Sequence, residues 1–177
     1  IWYESISSNS GDEARWCSAL KMGSISGLRG QIGSHPEILA VYPVMNEHPN
    51  DLINQSLPHG SKPDEFFVDM YLKDQILVYT FQISQTERDD LASIGFVLEK
   101  GANIAHLKIV IKNIIETLRK LNILNFDVLN RNLDQIQKGL NQQKPITIEG
   151  KLIDIEEIIR SNKLVLMKKP DLKGGFF

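Results

Sequence analysis

The 177-residue chain is predicted to form an α/β (α+β) domain in which a central antiparallel sheet is packed by long amphipathic helices. Two observations carry this prediction. Between residues 65 and 99, three strand-like runs follow at hairpin spacing, "EFFVDMYL", "QILVYTFQI" and "LASIGFVLE", and strands joined by short turns pair antiparallel. From residue 104 onward, apolar residues recur at helical period instead, giving stripes that need a sheet face to bury against.

Taken in order, residues 1–24 read as an N-terminal tail or docked helix, "DEARWCSALKM", with Trp2 and Trp16 as anchors. Residues 25–140 form the domain, and residues 141–177 a separable C-terminal extension. The domain opens on "GLRGQIG", with glycines at every third position. A phosphate cradle needs its glycines after a strand and opening a helix. Here they precede the apolar run "ILAVYPV", 38–44, and no Gly-Lys-Ser/Thr follows. The stretch therefore reads as a β-hairpin or a flexible lead-in to a buried strand.

"PNDLINQSL", 49–57, starts as a helix should, with Leu52, Ile53 and Leu57 on one face. In the strand at 65–72, Phe66, Val68, Met70 and Leu72 point one way and Phe67, Asp69 and Tyr71 the other. "KD" then supplies a tight turn into the strand at 75–83. A polar connector, "SQTERDD", leads to the third strand, where Gly95 marks a bulge or the close approach of a packed helix. The longest helix begins at Ile104 with Asn103 as its cap, its stripe formed by residues 107, 111, 114, 118 and 121. About 18 residues at helical rise span roughly 27 Å, enough to cross a sheet face. A second helix, 126–140, repeats the pattern with Leu129, Leu133, Ile136 and Leu140. The extension reads as strand, helix and strand at 146–149, 154–161 and 164–167, followed by a tail.

Several function classes fall away. A formal charge of −2 lacks the basic field that nucleic acid demands. Cys17 is the single cysteine, so no intrachain disulfide forms and a reducing, cytoplasmic setting is expected. No apolar run reaches the roughly 20 residues that a membrane-spanning helix needs, so no direct membrane insertion is expected. His35, His48, His59 and His106 are scattered without metal-ligand spacing, and Asp154, Glu156 and Glu157 read as a solvated helix face. No nucleophile elbow is present. No metal or cofactor is expected, and nothing demands catalysis.

Strand, helix, strands and then long helices is the element order of longin domains. "GSHPEILAVYPV" and "ILVYTFQISQTERDDLASIGFVLEKGANIAHLKIVIKNIIETLRKL" resemble the N-terminal longin domain of the nitrogen permease regulator 2-like family. More distantly, they resemble the longin parts of DENN-type proteins. The likeness covers about residues 25–140. It implies a longin-like, non-enzymatic module of membrane traffic or small-GTPase regulation, in the cytoplasm or at the cytosolic face of membranes. Such a module works as a homo- or heterodimer, or inside a larger complex with a small GTPase or a second longin or roadblock-type subunit. It further implies a partner groove between the first helix and the neighbouring strand, lined by Leu52, Ile53, Leu57, Phe66, Val68 and Met70. The same residues also suit the domain's own core, and both readings stay open. In the regulator 2-like family, the loop before the "GFV" strand carries an arginine finger, and Arg88 is the only basic residue in the matching loop here. A finger accelerates GTP hydrolysis by on the order of 10³–10⁵. The other reading makes Arg88 a surface residue balancing Glu87, Asp89 and Asp90.

Overall fold

The computed structural model describes residues 20–28, 36–43, 50–84 and 89–167. Two strands, β1 (Leu20–Leu28) and β2 (Pro36–Tyr42), lead to the short helix α1 (Asn50–Ser56). A three-strand meander follows: β3 (Phe66–Tyr71), β4 (Asp74–Ser84) and β5 (Asp89–Leu98). Two long helices come next, α2 (Ile104–Lys120) and α3 (Phe126–Gln142). A small hairpin, β6 (Ile146–Ile148) and β7 (Lys151–Ile153), then runs into α4 (Ile155–Met167). The first five strands make one sheet in the order β2-β1-β5-β4-β3, and every neighbouring pair is antiparallel. The protein is therefore mixed α+β, with a central antiparallel sheet as the sequence predicts.

Strand alternation gives the sheet two different faces. Ile25, Leu77, Tyr79, Phe81, Ile83, Ala92, Ile94, Phe96 and Leu98 point to one side and are buried against α2 and α3. On the other side, Val41, Ile76, Val78 and Val97 form a smaller cluster with Tyr71 and with Leu52 of α1. Gly23 and Gly27 face α3, and here the absence of a side chain matters. A Cβ on Gly27 would stand 2.7 Å from the Phe126 ring, and one on Gly23 would crowd Gln137, Phe96 and Leu133. The glycines that raise the question of phosphate thus include one that lets a helix lie directly on β1. Gly30 and Gly33 lie outside the described residues.

The two long helices follow their sequence signals. Asn103 accepts a hydrogen bond from the His106 N–H at 3.1 Å, and Asn125 accepts one from the Val128 N–H at 2.8 Å, the N-cap pattern in both cases. Leu107, Ile111, Ile114 and Leu118 are buried, whereas Leu121 caps the C-terminus and is 38% exposed.

Five expectations are corrected. Leu20, Lys21 and Met22 belong to β1 and not to a helix, so the domain begins before the boundary placed at residue 25. The Asn141 side chain both accepts from the Leu20 N–H and donates to its C=O, at 3.0 and 3.1 Å, which fixes the start of the strand to α3. The β3–β4 turn is Leu72-Lys73 and not Lys73-Asp74, because Tyr71 pairs with Asp74 and Leu72 adopts a φ of 54°. Gly95 sits in regular pairing with Ser24 and Val78, and the atom nearest to an added Cβ is Ser24 Oγ. The close neighbour is therefore a strand, not a helix. Residues 164–167 continue α4; the helix is capped by the Asp154 carboxylate, which accepts from the Glu157 N–H at 3.0 Å. The second strand is instead β7, turned back by Glu149 and Gly150, both at positive φ. Finally, residues 146–155 are not separable: Ile146, Ile148, Ile153 and Ile155 join the main core.

Gly139 in α3 tests how tightly this last contact is made. Gly→Ala in a helix normally stabilises by about 1 kcal/mol, but a Cβ here would overlap the Ile146 side chain and press on Ile155. Overpacking of that kind costs about 1–3 kcal/mol. Gly139→Ala is expected to lower the urea midpoint, against the sign that helix propensity alone gives.

Candidate functional site

Strand β3 forms one edge of the sheet, and its apolar residues are not all covered. Phe66 is half-buried, stacked on Tyr79 with ring centroids 4.5 Å apart, and Tyr79 stacks on Phe81 at 5.8 Å. The Lys108 ammonium of α2 lies 5.7 Å from the centre of the Phe66 ring, within the range of a cation–π contact. Beyond this anchored end, Val68, Met70 and Leu72 are 42%, 49% and 78% exposed. Val68 stands opposite Leu77, which is fully buried. The patch is therefore the uncovered margin of the same face that α2 and α3 bury.

The edge offers these side chains more readily than its main chain. In a two-residue hairpin, the pair flanking the turn exchanges hydrogen bonds. With Tyr71 and Asp74 in that place, the N–H and C=O groups of Met70, Val68 and Phe66 turn outward. The Thr80 N–H donates to the Glu65 C=O, which agrees with this alternation. Both outward groups of Met70 are already engaged: its N–H donates to Asp69 Oδ1 at 2.7 Å, and its C=O accepts from the Gln55 amide of α1. Such engagement blunts strand addition at that end of the edge.

Tyr79 fixes the base of the patch. Its hydroxyl donates to Asp64 Oδ1 at 2.8 Å. Burial, and then that hydrogen bond and the Asp64 charge, push the phenol well above its ordinary range, so it keeps the proton it donates.

The expected lining residues do not converge on one groove. Leu52 and Leu57 are buried, Leu52 within the cluster on the α1 side of the sheet, where it serves as core. Phe66, Val68 and Met70 point to the opposite side, as shown by their pairing with Tyr79, Leu77 and Gln75. The helix meets the strand at the rim, through Gln55 and the Met70 C=O, and on its other face, where Leu52 shares the smaller cluster with Tyr71 and Phe67. The side chain of Ile53 and the whole of Arg88 lie outside the described residues. Arg88 belongs to the connection between Ser84 and Asp89, which pair at the end of β4 farthest from Leu72. Between Leu77 and Ser84 the strand advances by roughly 23 Å, so the patch is well separated from the Ser84–Asp89 pair. The sequence reading missed two cations that packing brings in: Lys108 over Phe66, and Arg119, exposed at the end of α2 and donating to the Gln82 C=O at 3.4 Å.

A concavity of about 290 Å³ lies between α2, β7 and α4, lined by Asn113, Thr117, Leu152, Asp154, Glu157 and Asn162 among others. It is shallow and holds no histidine or cysteine. Among the described residues, no group of three or more His, Cys, Asp or Glu side chains is placed to hold a metal, and no helix is long and apolar enough to cross a membrane. No protein-family model matches the chain, and no curated protein matches it significantly in sequence.

Tyr79→Phe separates the two roles of the phenol. Loss of the bond to Asp64 is expected to cost about 0.5–1.5 kcal/mol at neutral pH. The folded pKa is raised, so the contribution of the phenol is full below the unfolded pKa of about 10 and is lost as pH rises through the folded value. Denaturation at intervals from about pH 8 to 11.5 is expected to show wild type losing its advantage over the Phe variant as pH climbs.

Proposed function

We propose that this protein is a longin-type, non-catalytic interaction module, a subunit of a complex that regulates small GTPases or membrane traffic at the cytoplasmic side of the cell. The observation that carries the reading is the exposed apolar edge formed by Val68, Met70 and Leu72. An apolar margin of this kind, seated on a stacked aromatic base, suits a protein partner. The element order from β1 to α3, β-β-α-β-β-β-α-α, supports the longin resemblance, because strands, a helix, further strands and long helices follow in that sequence. Fold likeness alone does not assign a function, so the site carries the argument. The partner class is a small GTPase or a second longin or roadblock-type subunit, and its contact is made through side chains at the β3 edge.

A second reading keeps Arg88 as an arginine finger that completes a bound GTPase. Its support is the sequence position alone, in the connection between β4 and β5.

The test uses a panel of purified GTP-loaded small GTPases and of longin and roadblock-type subunits. Val68→Asp with Met70→Glu is expected to weaken binding to the panel member that wild type captures by at least about tenfold, roughly 1.4 kcal/mol. The thermal midpoint should be retained, because both side chains are exposed. Leu152→Asp, exposed elsewhere, is expected to leave binding unchanged. Equal binding by the β3 double variant removes the reading. For Arg88→Ala, the adaptor predicts unchanged binding and unchanged GTP turnover, and the finger predicts unchanged binding with collapsed turnover.

A further inference from the structure

The centre of the sheet face beneath α1 is not apolar. Ser26 of β1 stands opposite Ser93 of β5, and Ser93 stands opposite Thr80 of β4, so three hydroxyl side chains form a row across three strands. Two residues along, Ser24 faces Gly95. Ser24 is 2% exposed, Ser26 1%, and Ser93 and Thr80 not at all. The Thr80 hydroxyl donates to the carbonyls of Lys62 and Glu65. The Ser93 hydroxyl donates to the C=O of Ser56, the last residue of α1, and the Ser56 hydroxyl donates back to the Leu52 C=O. Ser24 Oγ and Ser26 Oγ have no partner among the described residues.

We propose that α1 is a detachable cover, opening as a unit while the sheet and the α2–α3 layer stay folded, and that the sealed hydroxyls favour the open state. A buried hydroxyl without a partner loses its bonds to water and gains nothing in exchange. For Ser24 and Ser26, lifting α1 restores those bonds. Against this stand three attachments among the described side chains of the helix: Leu52 in the small apolar cluster, the Ser93–Ser56 bond, and the Gln55–Met70 bond at the rim. The helix spans seven residues, too short to persist alone in water, so detachment and melting of α1 are one event. Segments with few buried apolar contacts are the ones that open locally, and the opposite face of the sheet has no comparable row.

Native-state hydrogen exchange of the intact protein, resolved by residue, tests this. The amides of Asn54, Gln55 and Ser56 are expected to exchange at least about 100-fold faster, relative to their unstructured rates, than those of Ile111 and Ile114 in α2. Ser24→Ala with Ser26→Ala is expected to slow exchange in α1 by about tenfold, because the closed state no longer seals unpaired hydroxyls. Ser93→Ala, which strands the Ser56 carbonyl, is expected to act in the opposite direction and speed it. The two signs at neighbouring positions keep the test decisive should one variant fold poorly. The proposal is overturned if α1 exchanges only in step with α2 in wild type. It is equally overturned if the Ser24/Ser26 variant leaves α1 unchanged, since α1 then opens without exposing those hydroxyls.

Discussion

The pairing of β1 with β5 is the constraint on which the rest depends. Every other strand pair joins neighbours in the chain, whereas Ile25 meets Ile94 and Gly23 meets Phe96 only after a helix and three strands have intervened. Closing such a loop costs entropy that local hairpins avoid. Its return is large, because the alternation of β1 sets what lies on both faces. Its glycines admit α3 on one side, and its buried serines face the other, the side that carries α1. A one-residue slip would exchange these two sets, putting hydroxyls beneath the helical core and leaving α1 over bare glycine.

The two faces that follow are unlike in kind. Under α2 and α3, aromatic and branched residues fill a continuous core into which the C-terminal hairpin and the start of α4 also pack. That face runs on past its helical cover to the β3 edge, where Val68 and Met70 remain open. The other face is a small apolar cluster around a hydroxyl centre, closed by one short helix. The helix-covered side thus presents the apolar margin on which the functional reading rests, and the side with the buried hydroxyls carries the short helix proposed to open.

How much of this was legible follows from how local each signal is. The long helices were readable because stripe and cap coincide: Asn103 and Asn125 sit where the apolar period begins. The strands from Phe66 to Leu98 were readable from alternation and turn spacing. β1 was not, because "LKMGSISGL" has an apolar residue only here and there, and its partners are far away in sequence. Its serines and glycines look like linker until β5 and α3 are placed against it. The run at 164–167 misled because an apolar tetrad fits strand and helix alike, and in the structure it continues α4. The expected groove failed for a different reason. Alternation correctly grouped Phe66 with Val68 and Met70, and helical period placed Leu52 on the buried face of α1, but neither pattern says on which side of the sheet a helix will lie.

Residue-resolved hydrogen exchange in β1 addresses the central constraint most directly. If β1 is an integral strand, the amides of Ser24 to Gly27 are protected to the same degree as those of Ile94 to Val97 in β5, and the two groups lose protection together as denaturant rises. Rapid exchange across β1 while β3, β4 and β5 stay protected would contradict the account. The segment would then be an appendage to a three-strand meander, and neither face would be built as described.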